Sequence, residues 1–207
     1  MAAIARIDTA AYRIALPSVL TDSTHGTMAH FELITARVRD ADGQEGVGYT
    51  FTVGRNGRAV LSVLRDEIAE IVAGAEADLI EARWQQVWWA THYGGRGGPT
   101  VLALSAFDIA LWDLKARRAG LPLYRLLGGE HAGVPCYAGG IDLELSADDL
   151  LRQTDDNLER GFRAIKMKVG SPALARDVGK VAAMRRHLGL RHGAVGPEGG
   201  AGRAAAL

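Results

Sequence analysis

The fold is decided by the stretch Gly161-Phe-Arg-Ala-Ile-Lys-Met-Lys-Val-Gly-Ser-Pro-Ala-Leu-Ala-Arg-Asp177. Its first half, from Phe162 to Val169, predicts a β-strand, and Ser171 followed by Pro172 is typical of a helix start. Helical spacing predicts that this helix faces inward with four apolar side chains, Leu174, Val178, Val181 and Met184.

Another strand and helix precede this stretch. Val134–Ala138 predicts a short strand with Cys136 in the core, and Ser146-Ala-Asp-Asp149 is a capping box. The helix that begins there is expected to end at Gly161, a residue type favoured just after helices. The resulting order, β-α-β-α, is typical of the opening of a parallel sheet or barrel.

The N-terminal part of the chain has a different pattern. Residues 1–53 predict three strands, with a polar loop from Ser18 to Gly26 and a turn at Asp40-Ala-Asp-Gly43. Residues 57–120 show helical spacing in three segments, the last beginning at Pro99 and ending at Gly120. Three strands followed by three helices predict an α+β domain.

Composition excludes several classes of protein. The 24 basic and 24 acidic side chains give no net charge that would favour nucleic acid or an anionic membrane surface. A single cysteine cannot form an internal disulfide, which fits a reducing compartment. No apolar run reaches about 18 residues, and the N-terminus has no signal-peptide pattern. We therefore expect a cytoplasmic protein with no nucleic-acid or membrane partner.

Lys166 and Lys168 are the candidate chemical group. Residues i and i+2 of a strand face the same side, so both amines project together. Like charges on one face disfavour each other's protonation, and a lysine that loses its proton readily is a competent general base. The alternative is a solvated pair on an edge strand. The position at the carboxyl end of a strand, where α/β barrels place catalytic groups, favours the functional interpretation.

Two segments together resemble a known family. The stretch 161–177 is similar to the second barrel strand of the mandelate racemase group of the enolase superfamily, and Ser105–Gly128 resembles the end of its N-terminal capping domain. The nearer resemblance is to acid-sugar dehydratases of the galactarate and talarate type. It implies an α+β capping domain (three-stranded meander plus helices) over 1–130, and the first two β-α units of an incomplete (β/α)-barrel over 131–189.

The resemblance also implies a chemistry. Lys168 would remove the proton α to the carboxylate of a sugar acid, giving an enediolate held on Mg²⁺, and Lys166 would favour the loss of that base's proton and contact the substrate carboxylate. The polar loop matches the region that closes over the substrate, so its substrate-binding candidates are Asp22, Ser23, Thr24 and His25. Family members are often homo-oligomers, although no residue pattern here identifies an interface.

The expected metal ligands are missing from the sequence. The family's third barrel strand should deliver Asp-x-Asn, but the last Asp is Asp177, the last Asn is Asn157, and Glu198 is the only carboxylate side chain after residue 189. Residues 190–207 are rich in Gly and Ala, which indicates either a disordered tail or a reading frame lost near residue 190. We predict that the chain as written is inactive. The alternatives to a dehydratase are a racemase or epimerase with the same base, and a non-catalytic fragment.

Overall fold

The structure is a computed structural model that describes residues 2–131 and 133–189. The chain divides into two compact units. The first consists of Met1–Ala15 and His30–Ala132, and the second of Leu16–Ala29 and Gly133–Leu207. The tail predicted for 190–207 lies outside the described residues.

A three-stranded antiparallel sheet confirms the predicted meander. Its order is β1 (Ile4–Asp22), β2 (Gly26–Asp40) and β3 (Glu45–Thr52). The Asp40 carboxylate closes the β2–β3 turn by accepting hydrogen bonds from the backbone N–H groups of Asp42 (3.0 Å) and Gln44 (2.8 Å). The predicted loop from Ser18 to Gly26 is wrong in extent, since only residues 23–25 connect the two strands. The strand continues because the backbone of Thr21 bonds to Ile141 and Leu143, which the polar side chains do not reveal.

Helices of the first unit follow the sheet, and the three predicted helical segments are present. They are α1 (Gly57–Ser62) continuing through a π-helical segment (Val63–Ile68) into α2 (Ala69–Ile71), then α3 (Ile80–Thr91) with a 3₁₀ turn (His92–Gly94), α4 (Pro99–Arg118) and the short α5 (Leu123–Leu126). The apolar core lies between these helices and the sheet.

Helix α4 packs directly on β3 because that strand has glycines where side chains would intervene. A Cβ atom at Gly46 would lie 2.2 Å from the carbonyl oxygen of Ala110, and one at Gly48 would lie 2.0 Å from that of Ala106. Both distances are far below van der Waals contact. These two positions therefore require glycine for the helix to approach the sheet.

The second unit contains the predicted β-α-β-α order. Strand β4 (Ala138–Gly139) pairs in parallel with β5 (Ile165–Lys166), with α6 (Ala147–Glu159) between them and α7 (Leu174–His187) after them. Ser146 caps α6 by accepting from the backbone N–H of Asp149 at 3.1 Å, which confirms the capping box.

Three expectations about the second unit are wrong in detail. The strands are two residues long rather than five and eight, because only the pairs Ala138–Ile165 and Gly139–Lys166 are in ladder register. Cys136 is exposed because it precedes that ladder. Helix α7 buries Asp177, Lys180 and Met184, whereas Leu174 and Val178 are exposed. The polar pair makes buried hydrogen bonds with backbone groups, so the helix turns that face inward.

None of the helices within the described ranges is long and apolar enough to cross a membrane.

Candidate functional site

Burial alternates along the segment that carries the two lysines. Ile165 and Met167 are buried, and Met167 packs with Leu150 and Met184 in the apolar cluster of the second unit. Lys166 and Lys168 are partly exposed. Since successive residues of an extended segment point to opposite faces, both lysines lie on the face away from that cluster.

The Lys166 side chain packs along an aromatic ring. Its Nζ atom lies 5.7 Å from the centroid of the Tyr137 ring, within the range of a cation–π interaction. Gly139 leaves space beside this pair, since a Cβ atom there would be 3.7 Å from Tyr137 Cε2 and 3.9 Å from Lys166 Cε. The Lys166 amine thus lies over the ring of the residue that precedes β4.

Lys168 is held at both its side chain and its backbone. Its Nζ atom lies 3.8 Å from Oδ2 of Asp22, in an ion pair whose side chains are 31% and 10% exposed. Its backbone N–H donates to Oδ1 of Asp142 at 2.9 Å. Strand β5 ends at Lys166, two positions before Lys168, so the Lys168 amine projects from just beyond the carboxyl end of the strand.

Asp22 organises the turn at the tip of the β1–β2 hairpin. Its Oδ1 atom accepts from the backbone N–H of Thr24 at 3.0 Å and of His25 at 2.6 Å, and Oδ2 lies 3.0 Å from His25 Nδ1. The His25 backbone N–H, followed by the His25 side chain, lowers the pKa of the Asp22 carboxyl to about 2. This residue is therefore an anion under ordinary conditions, and its charge faces Lys168.

The hairpin tip is bound to the carboxyl ends of the second unit's strands. The Thr21 N–H donates to Ile141 O at 3.0 Å, and Thr21 O accepts from Leu143 N at 3.1 Å. Ser23 lies against Gly170, where a Cβ atom would be 2.8 Å from Ser23 Oγ. Among the predicted substrate-binding residues, Asp22 and Ser23 are thus next to the Lys168 segment, whereas Thr24 and His25 are exposed at the turn.

Three buried ionisable groups near the segment that carries Lys168 were not predicted from the sequence. They are Asp142, Asp177 and Lys180, all more than nine-tenths buried. A signal was available for Asp142, which lies three residues beyond the end of β4, near the carboxyl end of a strand, where barrel enzymes place polar groups.

A divalent cation finds no ready site in this part of the protein. Among residues 2–131 and 133–189, no group of three or more His, Cys, Asp or Glu side chains could hold a metal ion. Mg²⁺ favours near-octahedral coordination by oxygen atoms. The residues that the structure describes do not fit that ion.

Comparison with known proteins identifies the family. Residues 9–128 match the model of the mandelate racemase/muconate lactonizing enzyme N-terminal domain. A 3,6-anhydro-alpha-L-galactonate cycloisomerase from Streptomyces coelicolor is 55% identical over 186 residues, which cover 90% of this chain and 52% of that relative. The chain belongs to the mandelate racemase/muconate lactonizing enzyme family. The resemblance drawn from the two sequence segments is confirmed.

Solved structures of family members share the fold. The crystal structure of a racemase from Streptomyces coelicolor with bound magnesium has a TM-score of 0.87 and 55% identity, and the match covers 89% of this chain and 52% of that one. The L-talarate/galactarate dehydratase from Salmonella typhimurium, liganded with Mg and L-lyxarohydroxamate, has a TM-score of 0.84 and 32% identity, with 90% and 49% covered. The chain thus spans about half the length of these relatives.

Proposed function

We propose that the second unit carries the base-bearing part of an active site that removes the proton α to the carboxylate of a sugar acid, in a reaction that eliminates water. The observation that carries the proposal is the Lys168 amine, which lies beyond the end of β5 and 3.8 Å from the Asp22 carboxylate of the hairpin tip. The resemblance of residues 161–177 to the second barrel strand of the family implies that this lysine is the base.

In this reaction each group has one role. Once it has released its own proton, the Lys168 amine takes the α-proton, and the electron pair of the broken C–H bond delocalises onto the substrate carboxylate. The β-hydroxyl then takes up a proton from solvent and leaves as water, and the electron pair of the anion forms the carbon–carbon double bond. Lys166, whose amine lies over the Tyr137 ring, binds the substrate carboxylate. Hydroxyl groups of the sugar acid are bound by Asp22, Ser23, Thr24 and His25, whose short polar side chains surround the hairpin turn.

The only support for magnesium in this proposal comes from structures of related proteins. Structures of family members are described with bound magnesium, but the residues described in this chain do not supply a set of ligands. For this chain on its own we expect no Mg²⁺-dependent turnover of sugar acids, and turnover by the purified chain would contradict that expectation.

A second candidate is cycloisomerisation. It is favoured by one observation, the 55% identity over 90% of the chain with the Streptomyces coelicolor cycloisomerase. The racemase or epimerase alternative would use the same base. The three reactions share the proton abstraction and differ in what happens to the resulting anion, so product analysis separates them.

The role of Lys168 can be tested in a chimera. The 186 matched residues of this chain would replace the corresponding residues of the Streptomyces coelicolor cycloisomerase. We expect the chimera to exchange the α-proton of its substrate in D₂O. The exchange would be followed by ¹H NMR with galactarate, L-talarate and 3,6-anhydro-L-galactonate as the tested substrates. Lys168→Met should reduce the rate by about 10²- to 10⁴-fold.

The matched control is Lys115→Met, in α4 of the first unit, which should retain the rate within about twofold. Retention of full exchange by Lys168→Met would contradict the proposal. The same assay identifies the product as a dehydrated acid, a ring isomer of the anhydro acid or an epimer, and thereby distinguishes the candidate reactions.

Binding can be tested on the chain itself. The chain has four lysines, Lys115, Lys166, Lys168 and Lys180, so a sample labelled with ¹³C at the lysine ε-position gives four assignable signals. We expect millimolar galactarate to shift the signals of Lys166 and Lys168, because they flank the proposed site, and to leave that of Lys115 unchanged. Equal shifts of all four signals would indicate nonspecific charge effects and contradict the site.

A further inference from the structure

Two buried carboxylates bind the backbone of the segment that carries Lys168. Asp142, 6% exposed, accepts from the N–H of Lys168 at 2.9 Å. Asp177, 8% exposed, accepts with one oxygen from the N–H groups of Gly170 at 2.8 Å and Ser171 at 2.9 Å. Three of the four N–H groups between positions 168 and 171 thus bond to carboxylates.

The second oxygen of each carboxylate is buried without a hydrogen bond from the described part of the chain, which destabilises the fold unless another interaction offsets it. Oδ2 of Asp142 and Oδ1 of Asp177 are buried, and neither has a hydrogen-bond partner among the residues that the structure describes. Burying an ionised carboxylate without a partner is costly, so a nearby positive charge is expected. Gly140 stands against the Asp142 oxygen, since a Cβ atom at that position would lie 1.8 Å from Oδ2.

Lys180 supplies that charge from α7. It is 5% exposed, and its Nζ donates to the carbonyl oxygen of Leu143, the residue after Asp142, at 2.7 Å. Burial, and to a lesser degree the charge of Arg176, lowers the pKa of the Lys180 amine, and the charges of Asp142, Glu144 and Asp177 act in the opposite direction. Lys180 is thus held by the backbone of the residue next to Asp142, and its charge acts on both aspartates without a direct ion pair to either.

We propose that Asp142 and Asp177, with Lys180 as their shared counter-ion, are positioning residues that fix the backbone of residues 168–171 and so set where the Lys168 amine is presented. The importance of that amine rests on the proposed function. Gly170 has a φ of +117°, a conformation that other residues rarely adopt. Asp142, in the loop after β4, binds the segment before this position, and Asp177 of α7 binds it at and after this position.

The first test measures backbone amide exchange in the ¹⁵N-labelled chain. Asp142→Ala should raise the exchange rate of the Lys168 amide at least tenfold. The exchange rate of the Leu150 amide, which bonds to Ser146 O at the start of α6, should change by less than about threefold. Asp177→Ala should act in the same way on the Gly170 and Ser171 amides. A parallel rise of all amides in the second unit would overturn the proposal, because it would indicate general unfolding.

Milder variants keep the test informative if an alanine variant does not fold. Asp142→Asn retains an oxygen that can accept from the Lys168 N–H but removes the charge, so it separates the hydrogen bond from the pairing with Lys180. We expect the Lys168 amide to remain protected and the Lys180 ε-carbon signal to move. No movement of that signal would overturn the assignment of Lys180 as the counter-ion. Asp148→Asn, an exposed aspartate of α6, is the control and should change neither readout.

The second readout is the side chain of Lys168 itself. With ¹³C-labelled lysine, Asp142→Ala should shift the Lys168 ε-carbon signal and leave the Lys115 signal in place, because the amine is displaced from Asp22. An unchanged Lys168 signal would show that the carboxylates only stabilise the fold and would overturn the positioning role. Neither readout requires a sugar acid or turnover. If the proposed function alone fails, these results persist, and if the positioning alone fails, sugar-acid binding persists.

Discussion

The first unit buries mainly hydrocarbon, with Asp40 as the one buried ionisable side chain among its described residues, whereas the second buries three such groups. In the first, Ile34, Leu64 and Phe107 are fully buried members of one apolar cluster between sheet and helices. In the second, the apolar cluster is built on Leu150, Met167 and Met184, and beside it lie three buried ionisable groups, Asp142, Asp177 and Lys180.

This contrast separates two ways of holding a backbone. Apolar burial is non-directional and tolerates small displacements, whereas a hydrogen bond to a buried carboxylate fixes the position of a particular N–H group. The first unit therefore derives most of its stability from area removed from water, and its buried carboxylate, Asp40, fixes only a turn. In the second unit the buried carboxylates fix the backbone of the segment that carries the Lys168 amine.

The strongest way to break the first unit is to empty its core. Phe107→Ala should lower the free energy of unfolding by about 3–5 kcal/mol, because the fully buried ring leaves a cavity. Tryptophan fluorescence during denaturation measures this unit, since Trp84, Trp88, Trp89 and Trp112 all belong to it. Tyr93→Ala, at a 97% exposed aromatic residue, is the control and should change the value by less than about 0.5 kcal/mol.

The next largest effect is expected from an added side chain between β3 and α4. Gly48→Ala should cost about 3 kcal/mol, because the new methyl group would meet the Ala106 carbonyl oxygen at 2.0 Å and backbone must move. Gly97→Ala, where no atom lies within 4 Å of the added Cβ, is the matched control in the same unit. Similar losses for the two variants, measured by the same fluorescence transition, would disprove the close approach of α4 to β3.

The apolar cluster of the second unit should give a smaller effect. Met184→Ala should cost about 2 kcal/mol, at the lower end for buried methionine, because the surrounding cluster is small. Amide exchange along α7 measures this local loss. Leu174→Ala on the same helix, 75% exposed, should have little effect. A larger loss for Leu174→Ala would restore the inward face predicted from the sequence.

The smallest effect is a dependence on pH. The folded pKa of Asp22 is about 2, below the ordinary value of 3.8. Its stabilising contribution is therefore complete above about pH 4 and is lost as the pH falls toward 2, since the unfolded chain then binds the proton more readily. Exchange of the Thr24 and His25 amides between pH 5 and 2 should reveal this loss. Asp22→Asn should show no such transition, and an identical profile in both proteins would contradict the pKa assignment.

Much of the architecture could be predicted because it leaves a periodic or local trace. The meander, the capping box at Ser146 and the helix end at Gly161 depend on residue types at fixed spacing. The two family-like segments also led to the correct family. These features are determined by short-range chemistry, which a single sequence contains.

The missed features depend on partners distant in sequence. Apolar spacing on α7 points to Leu174 and Val178, but the helix instead turns Asp177 toward the N–H groups of Gly170 and Ser171. Likewise, the polar residues before Asp22 suggest a loop because nothing local indicates that Thr21 pairs with Ile141 and Leu143. In both cases backbone groups find hydrogen-bond partners that are distant in sequence, and the spacing of apolar residues does not reveal such partners.

The double role of Asp22 has a consequence for anyone who would redesign substrate choice by exchanging the hairpin turn. The same carboxylate that shapes the turn through Thr24 and His25 also faces the Lys168 amine. Under the proposed function, a grafted loop without an acid at that position would change specificity and reactivity together, so a library that varies residues 23–25 and keeps Asp22 is the one in which the two properties can evolve separately.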